Sequence, residues 1–281
     1  MLRSIAIIVL LFTSLTALAN QPSWRKVEQE NLLYLQTNQG TVTIELAQFF
    51  APRHVEYMRK LVQEGFYDGL PFYRVIENFV VQGGDTSGSK TSKVKTSMQA
   101  EIERDINKES PFTLVQSADL LAEQTGFIQG FAVGRSVSEN KEWLIHCPGV
   151  INLARGNNIH SGTTDFAIMF GVSPRHLDRN MSVFGRVIDG WQALYKIERG
   201  DDLLSGAFSD AKQPSFIIKA YLGSQLAKNE QQHWLIEDTT SDYFQNKLAQ
   251  RRKYSHDFYH HKGNGNLDVC YQKVASKQES K

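Results

Sequence analysis

Phe72-Tyr73-Arg74-Val75-Ile76-Glu77-Asn78-Phe79-Val80-Val81-Gln82-Gly83-Gly84-Asp85 is the stretch on which the reading of this chain turns. An arginine, a phenylalanine and a glutamine recur at spacings of five and three inside a β-rich run that ends in a double glycine. Side chains alternate faces along an extended strand, so unbroken pairing puts Arg74 and Gln82 on one face and Phe79 on the other. A bend or bulge at Glu77-Asn78 shifts that parity by one and brings Phe79 and Gln82 within reach of the same pocket as Arg74. A permanent cation, an amide and an aromatic ring around one concave surface do not make a hydrophobic core.

Working outward, Leu32 to Thr37 and Thr41 to Leu46 read as a hairpin around Asn38-Gln39-Gly40. Ala51-Pro52-Arg53-His54 opens a helix with Pro near its first position, Val55, Met58, Leu61 and Val62 stripe one face, and Gly65 ends it. On the other side, Gly149 to Ala154, Asp165 to Phe170 and Ser182 to Ile188 read as strands, Gly190 to Glu198 as a short helix and Ser215 to Tyr221 as the last strand. About eight strands, two short helices and no βαβ alternation predict a mainly β fold, a closed eight-stranded antiparallel barrel. From Thr86 to Cys147 the pattern weakens. Lys90, Lys93 and Lys95 sit among Ser and Thr, and the segment reads as long loops with a helical element at Ser117 to Gln124. Past Ser224 the chain is polar until a helix at Tyr243 to Leu248, N-capped by Thr240 or Ser241. The expected organisation is a leader over 1–19, one domain over 20–223 with an insertion at 86–148, and an extension over 224–281 packed on that domain.

The 281 residues carry 31 Lys+Arg against 30 Asp+Glu, so no global charge argues for nucleic acid or an anionic membrane. Met1-Leu2-Arg3, the apolar run Ile5 to Leu18 and the small residues Ala17-Leu18-Ala19 form the tripartite pattern of a secretory signal. A retained anchor is the alternative, but the run is short of a span and interrupted by Thr13, Ser14 and Thr16. The expectation is export, most simply to a bacterial periplasm, with no membrane span after cleavage. The two cysteines, Cys147 and Cys270, then form a bridge in an oxidising compartment, or else remain two buried thiols. The loop after Gly83 lacks the Gly-Lys-[Ser/Thr] of a phosphate-binding loop, His256, His260 and His261 read as a solvated tail, and no Ser-His-Asp arrangement is legible.

Three blocks of this sequence, in order, resemble the cyclophilins, the peptidyl-prolyl cis/trans isomerases. Phe72-Tyr73-Arg74 through Gln82-Gly83-Gly84-Asp85 is similar to the family's Phe-His-Arg … Phe-x-x-Gln-Gly-Gly-Asp. Gly149 to Arg155 with Thr164-Asp165-Phe166-Ala167-Ile168 is similar to its next strand pair, and His176-Leu177-Asp178 with Ser182 to Val187 to its Leu-Asp … Val-Phe-Gly-x-Val block. The resemblance covers Leu32 to Tyr221 and implies a cyclophilin-like barrel. It implies a site in which Arg74, Gln82 and Phe79 are catalytic, and Val80, Ala154, Arg155, Asp165, Phe166, Ala167, His176, Leu177 and Met181 bind substrate. Phe79, Phe166 and Leu177 would form the proline socket. The chain departs from the family pattern at Ala167, which removes an aromatic wall, at Asp165, a possible partner for Arg74 or Arg155, and at His176 and Met181.

Two functions follow as expectations. The first is an exported prolyl isomerase, monomeric and cofactor-free, that acts on proline-containing polypeptides in protein folding and binds no nucleic acid. The alternative is a cyclophilin-like module that grips proline segments as a chaperone or assembly factor with little turnover.

Overall fold

The structure, a computed structural model, describes residues 21–94 and 98–279; the leader and Lys95 lie outside the described residues. In chain order, β1 (Trp24–Lys26) precedes the hairpin of β2 (Leu32–Thr37) and β3 (Gly40–Leu46), then come α1 (Pro52–Gln63), β4 (Arg74–Ile76) and β5 (Val80–Gly83). Next are β6 (Arg104–Asp105), β7 (Thr113–Gln116), β8 (Gln124–Ile128), β9 (Phe131–Ser136) and β10 (Lys141–Leu144). β11 (Val150–Leu153), β12 (Phe166–Met169), β13 (Val183–Asp189), α2 (Trp191–Lys196) and β14 (Ile217–Leu222) follow. β15 (Trp234–Glu237), α3 (Asp242–Lys253) and β16 (Ser276–Gln278) end the chain.

Eight strands form one antiparallel sheet in the order β14-β2-β3-β13-β11-β12-β5-β4. The sheet curls into a cyclophilin-like half-barrel rather than closing fully. Its two edges meet through an isolated bridge between Pro71 and Phe216 instead of a ladder. The inward faces supply the core: Leu33, Leu35, Val42, Ile44, Val75, Val81, Ile151, Ile168 and Phe184 are all buried. α1 presents Val55, Tyr57, Met58, Leu61 and Val62 to β13 and β14, which is the apolar stripe read from the sequence. Burying such side chains stabilises by roughly 1.5–3 kcal/mol each. In the β2–β3 turn Gly40 has a φ of 126°, in the range that favours glycine. Gly40 is already paired with Thr37, and a Cβ there would stand 3.0 Å from the Cβ of Ala193 in α2, so its smallness admits the helix.

The insertion corrects the expectation of long loops. β6 to β10 form a second antiparallel sheet in the order β6-β10-β9-β8-β7, and Ser117 to Gln124 is not helical. The tight turn at Gln129-Gly130, both with positive φ, closes the β8–β9 hairpin, with Ile128 opposite Phe131. Glu142 is fully buried in this sheet and held by Arg104 at 2.7 Å and Arg135 at 2.8 Å. The segment leading into the sheet also caps α1. Glu101 accepts from the backbone N–H of His54 at 2.9 Å and of Arg53 at 3.3 Å, where Ala51 has no capping side chain.

The carboxyl end docks on the insertion as well as on the barrel. β15 pairs with β1 and β16, and α3, N-capped by Ser241, buries Phe244 against Phe127 at 5.6 Å. Cys147 and Cys270 are bonded, which ties the tail to the segment just ahead of β11. His256, His260 and His261 follow the end of α3 and are exposed.

Candidate active site

Arg74 opens β4, the edge strand, and Gln82 stands directly opposite it on β5. Cross-strand partners project to the same face, so the guanidinium and the amide meet: Arg74 Nη1 donates to Gln82 Oε1 at 2.5 Å. The turn at Asn78, with φ 58°, ends the regular pairing before Phe79. Phe79 therefore lies in the turn rather than in the ladder, and its ring centroid is 5.9 Å from the Arg74 guanidinium carbon, within cation–π range. The parity shift expected at Glu77-Asn78 does not occur: β4 and β5 pair in unbroken register, and Phe79 reaches Arg74 from the turn itself. A contact not legible in the sequence completes the set: Arg74 Nε donates to the carbonyl of Ser205 at 3.0 Å. The loop carrying it lies along the edge strand, with Val75 N–H on Gly206 and Gly200 N–H on Val75. Nη2 is left with no hydrogen-bond partner among the described residues.

The floor of the site differs from the expected socket. Ala167 is opposite Gln82 and Val80 is two residues before it, so both point to the Gln82 side, yet they are only 3% and 2% exposed. They form a closed base and offer a guest almost no surface. Phe166 is opposite Gly83 and faces the other way, into the core, where its ring meets Tyr67 at 5.4 Å and Phe72 at 6.4 Å. Phe166 is thus a core residue, and the reason is strand parity. Leu177, in a short 3-10 turn over Arg175–Leu177, and Met181 are half-buried, whereas His176 is exposed.

On the rim, the Ala154 N–H already donates to Asp165 O at 2.8 Å, which removes it from the groups free to pair with a bound peptide. Arg155 bonds to the carbonyl of Asn180 through Nε at 3.0 Å and Nη2 at 2.8 Å, bracing two loops. Asp165 contacts neither Arg74 nor Arg155. Its Oδ1 accepts from Asp85 N–H at 3.0 Å and from the Thr164 hydroxyl at 3.3 Å, with the Tyr73 hydroxyl nearby. Burial raises the Asp165 pKa above the ordinary carboxylate value, and hydrogen bonds from Tyr73, Thr164 and Asp85 offset this only in part. Burial and the neighbouring Asp165 carboxylate push the Tyr73 phenol well up as well. Gly84 makes the arrangement possible, because a Cβ there would fall 2.2 Å from Asp165 Oδ1.

Behind the rim runs a buried chain of charge that sequence reasoning missed. His146 Nδ1 is 3.1 Å from Asp178, Asp178 accepts from Arg175 Nε at 2.6 Å, and Arg175 reaches Asp119 at 2.9 Å. It fixes the turn carrying Leu177 to the insertion. Beside it, Arg179 bonds to Glu103 at 2.6 Å. Two of these carboxylates, Asp119 and Glu103, come from the segment without readable pattern, so no spacing signal was available. A cavity of about 530 Å³ lies farther along the same sheet, between barrel, insertion and tail, with Leu144, Cys147, Val150, Arg186 and Cys270 in its lining. Among the described residues, no group of three His, Cys, Asp or Glu is placed to hold a metal ion, and no helix is long and apolar enough to cross a membrane.

Comparison with known proteins identifies the family and the fold. The profile of the cyclophilin type peptidyl-prolyl cis-trans isomerase family matches residues 32–219. A probable peptidyl-prolyl cis-trans isomerase of Brucella suis is 30% identical over 201 residues, 69% of this chain and 83% of that protein. A peptidyl-prolyl cis-trans isomerase of Helicobacter pylori is 29% identical over 177 residues, 62% of this chain and 85% of that protein. The crystal structure of the cyclophilin AquaCyp293 from Hirschia baltica superposes with a TM-score of 0.74 at 28% identity, covering 91% of this chain and 93% of that one.

Proposed function

Because the chain belongs to the cyclophilin type peptidyl-prolyl cis-trans isomerase family, we propose that it isomerises X-Pro bonds in exported polypeptides and that Arg74 supplies the catalytic donor. The single observation that carries this is the tethered guanidinium. Arg74 is held through Nη1 by Gln82 and through Nε by Ser205 at the edge of the sheet, with Nη2 unpaired among the described residues.

The chemistry asks for little else. Rotation about the amide costs about 18–20 kcal/mol because it destroys resonance. A catalyst needs neither nucleophile nor base, only tighter binding of the twisted amide than of either planar form. As conjugation is lost, the prolyl nitrogen regains a lone pair, and a donor already fixed in place stabilises it without reorganisation. Arg74 fits that role as a planar, permanently charged donor whose orientation is set by two carbonyl oxygens. Phe79 offers an apolar face for the pyrrolidine ring, and Gln82 orients the guanidinium. Export is supported by the leader motif in the sequence and by the bonded Cys147–Cys270 pair, since such bridges persist in oxidising compartments.

Arg74→Ala is expected to lower kcat/KM on an X-Pro peptide at least tenfold, about 1.4 kcal/mol of transition-state stabilisation, with the melting temperature unchanged. Arg74→Lys is expected to recover little of it. Exchange NMR on both variants is the test, and equal rates in wild type and Arg74→Ala refute the assignment. A second reading, a proline-segment binder with weak turnover, is favoured by one observation, the closed base at Val80 and Ala167. Peptide binding without accelerated exchange in the same experiment selects it.

A further inference from the structure

Asn152 is fully buried, yet neither its Oδ1 nor its Nδ2 has a protein partner among the described residues. A buried amide in that position is ordinarily satisfied by ordered water. Strand register places Asn152 opposite Ala167, Ala167 opposite Gln82, and Gln82 opposite Arg74. Four side chains therefore stand in one row on one face of the sheet, while the neighbours Ile151 and Leu153 point into the core. The Oε1 of Gln82 is taken by Arg74, and the other arm of the same amide, Nε2, has no acceptor among the described residues. In that row the side chain between the two amides is the methyl of Ala167. An aromatic ring at that position, as the resemblance would have it, leaves no room there for water.

We propose that Asn152 is a positioning residue of the isomerase site. Its carboxamide holds ordered water above Ala167, and that water accepts from Gln82 Nε2 and donates to Asn152 Oδ1. The glutamine is thereby fixed in the orientation that aims its Oε1 at Arg74. The row works as a unit, in which the small Ala167 and the unpaired Asn152 belong together. This inference rests on the isomerase reading above, because Asn152 acts on the reaction only through Gln82 and Arg74.

The test combines kinetics with a readout that needs no turnover. In Asn152→Ala, kcat/KM on an X-Pro peptide is expected to fall about fivefold, the worth of one hydrogen bond. The loss should lie mainly in kcat, with the melting temperature unchanged or raised. The Gln82 side-chain amide resonances should shift, and their protection from hydrogen exchange should drop. Asn152→Ser keeps a hydrogen-bonding group and is expected to retain at least half of the wild-type rate. A lower melting temperature with kcat and the Gln82 resonances unmoved marks Asn152 as purely structural and overturns the proposal. Should the wild type prove inactive, the isomerase reading fails on its own, and the Gln82 resonances still decide whether Asn152 holds the water.

Discussion

The outer face of one sheet meets two different environments. Over β4, β5 and the turn between them it is open at Arg74, Gln82 and Phe79, which are held by carbonyls, an amide and a turn. Over β11 and β13 it is roofed by the insertion and the tail, which enclose the cavity beside Val150, Val183 and Arg186. Asn152 lies where the two meet. The open region is built from adjacent strands of a single ladder, so its geometry follows from local register. The roofed region depends on pairings between distant segments, such as Thr113 Oγ1 with Thr239 O at 2.8 Å and Leu267 N–H with Gln116 Oε1 at 3.0 Å. With the proposed chemistry at Arg74, reactivity and stability fall in different halves of one surface, and perturbations should separate them.

The largest effect is expected from the tail. The Cys147–Cys270 bridge spans 123 positions, and the chain-entropy model gives about 4–5 kcal/mol for a loop of that length. Cys270→Ser should lose that order of stability in urea unfolding and leave turnover at Arg74 nearly intact; a parallel loss of turnover in the folded variant would show that the halves are coupled. Next comes Glu142→Ala, which strands Arg104 and Arg135 around an empty position in the insertion sheet. Removing one partner from a buried charge cluster costs about 3–5 kcal/mol, read as a shift in denaturation midpoint, again with the open half spared. In the open half, Phe79→Ala removes the ring beneath the guanidinium. A cation–π contact at an exposed site is worth about 0.5–1 kcal/mol, so a two- to fivefold fall in kcat/KM is expected with little change in melting.

The smallest effect is electrostatic and concerns the cap on α1. Burial raises the Glu101 carboxyl, but hydrogen bonds from the His54 ring and from the His54 and Arg53 backbone outweigh it and leave the pKa below its ordinary value. A carboxylate with a depressed folded pKa stabilises above its unfolded pKa, and the contribution is lost as pH falls through the folded one. The stability gap between wild type and Glu101→Gln should therefore close as the pH is lowered through the acid range. A gap independent of pH would mean that Glu101 does not cap the helix as a carboxylate.

Much of the open half was readable before any coordinates. Arg74 and Gln82 share a face because the β4–β5 register is unbroken, and Phe79 joins them from the turn at Glu77-Asn78, which was visible as two polar residues inside a β-rich run. Phe166 was misplaced for the complementary reason. Motif matching put it in the socket, but one residue of register decides the face, and Phe166 pairs with Gly83 rather than Gln82. Asp165 was expected beside an arginine and instead meets Tyr73 and Asp85, since the double glycine lets the backbone fold over it. The insertion was read as loops because its strands are short and separated by polar stretches. The Gln129-Gly130 turn and Asn140 in the β9–β10 turn were the local hairpin signals there.

Alternation of side chains and the spacing of turns settle which residues are strands and which cation faces which amide, because those relations are carried by neighbours along a ladder. That level of information lies in the chain alone, and it extends to the barrel and to Arg74. Which part of the sheet stays open, where Ser205 comes to hold the guanidinium, and why Asn152 is buried without a partner are set by segments far apart in sequence. Contacts of that kind are chosen by the packing of the whole molecule, because burial at one position depends on everything that folds over it.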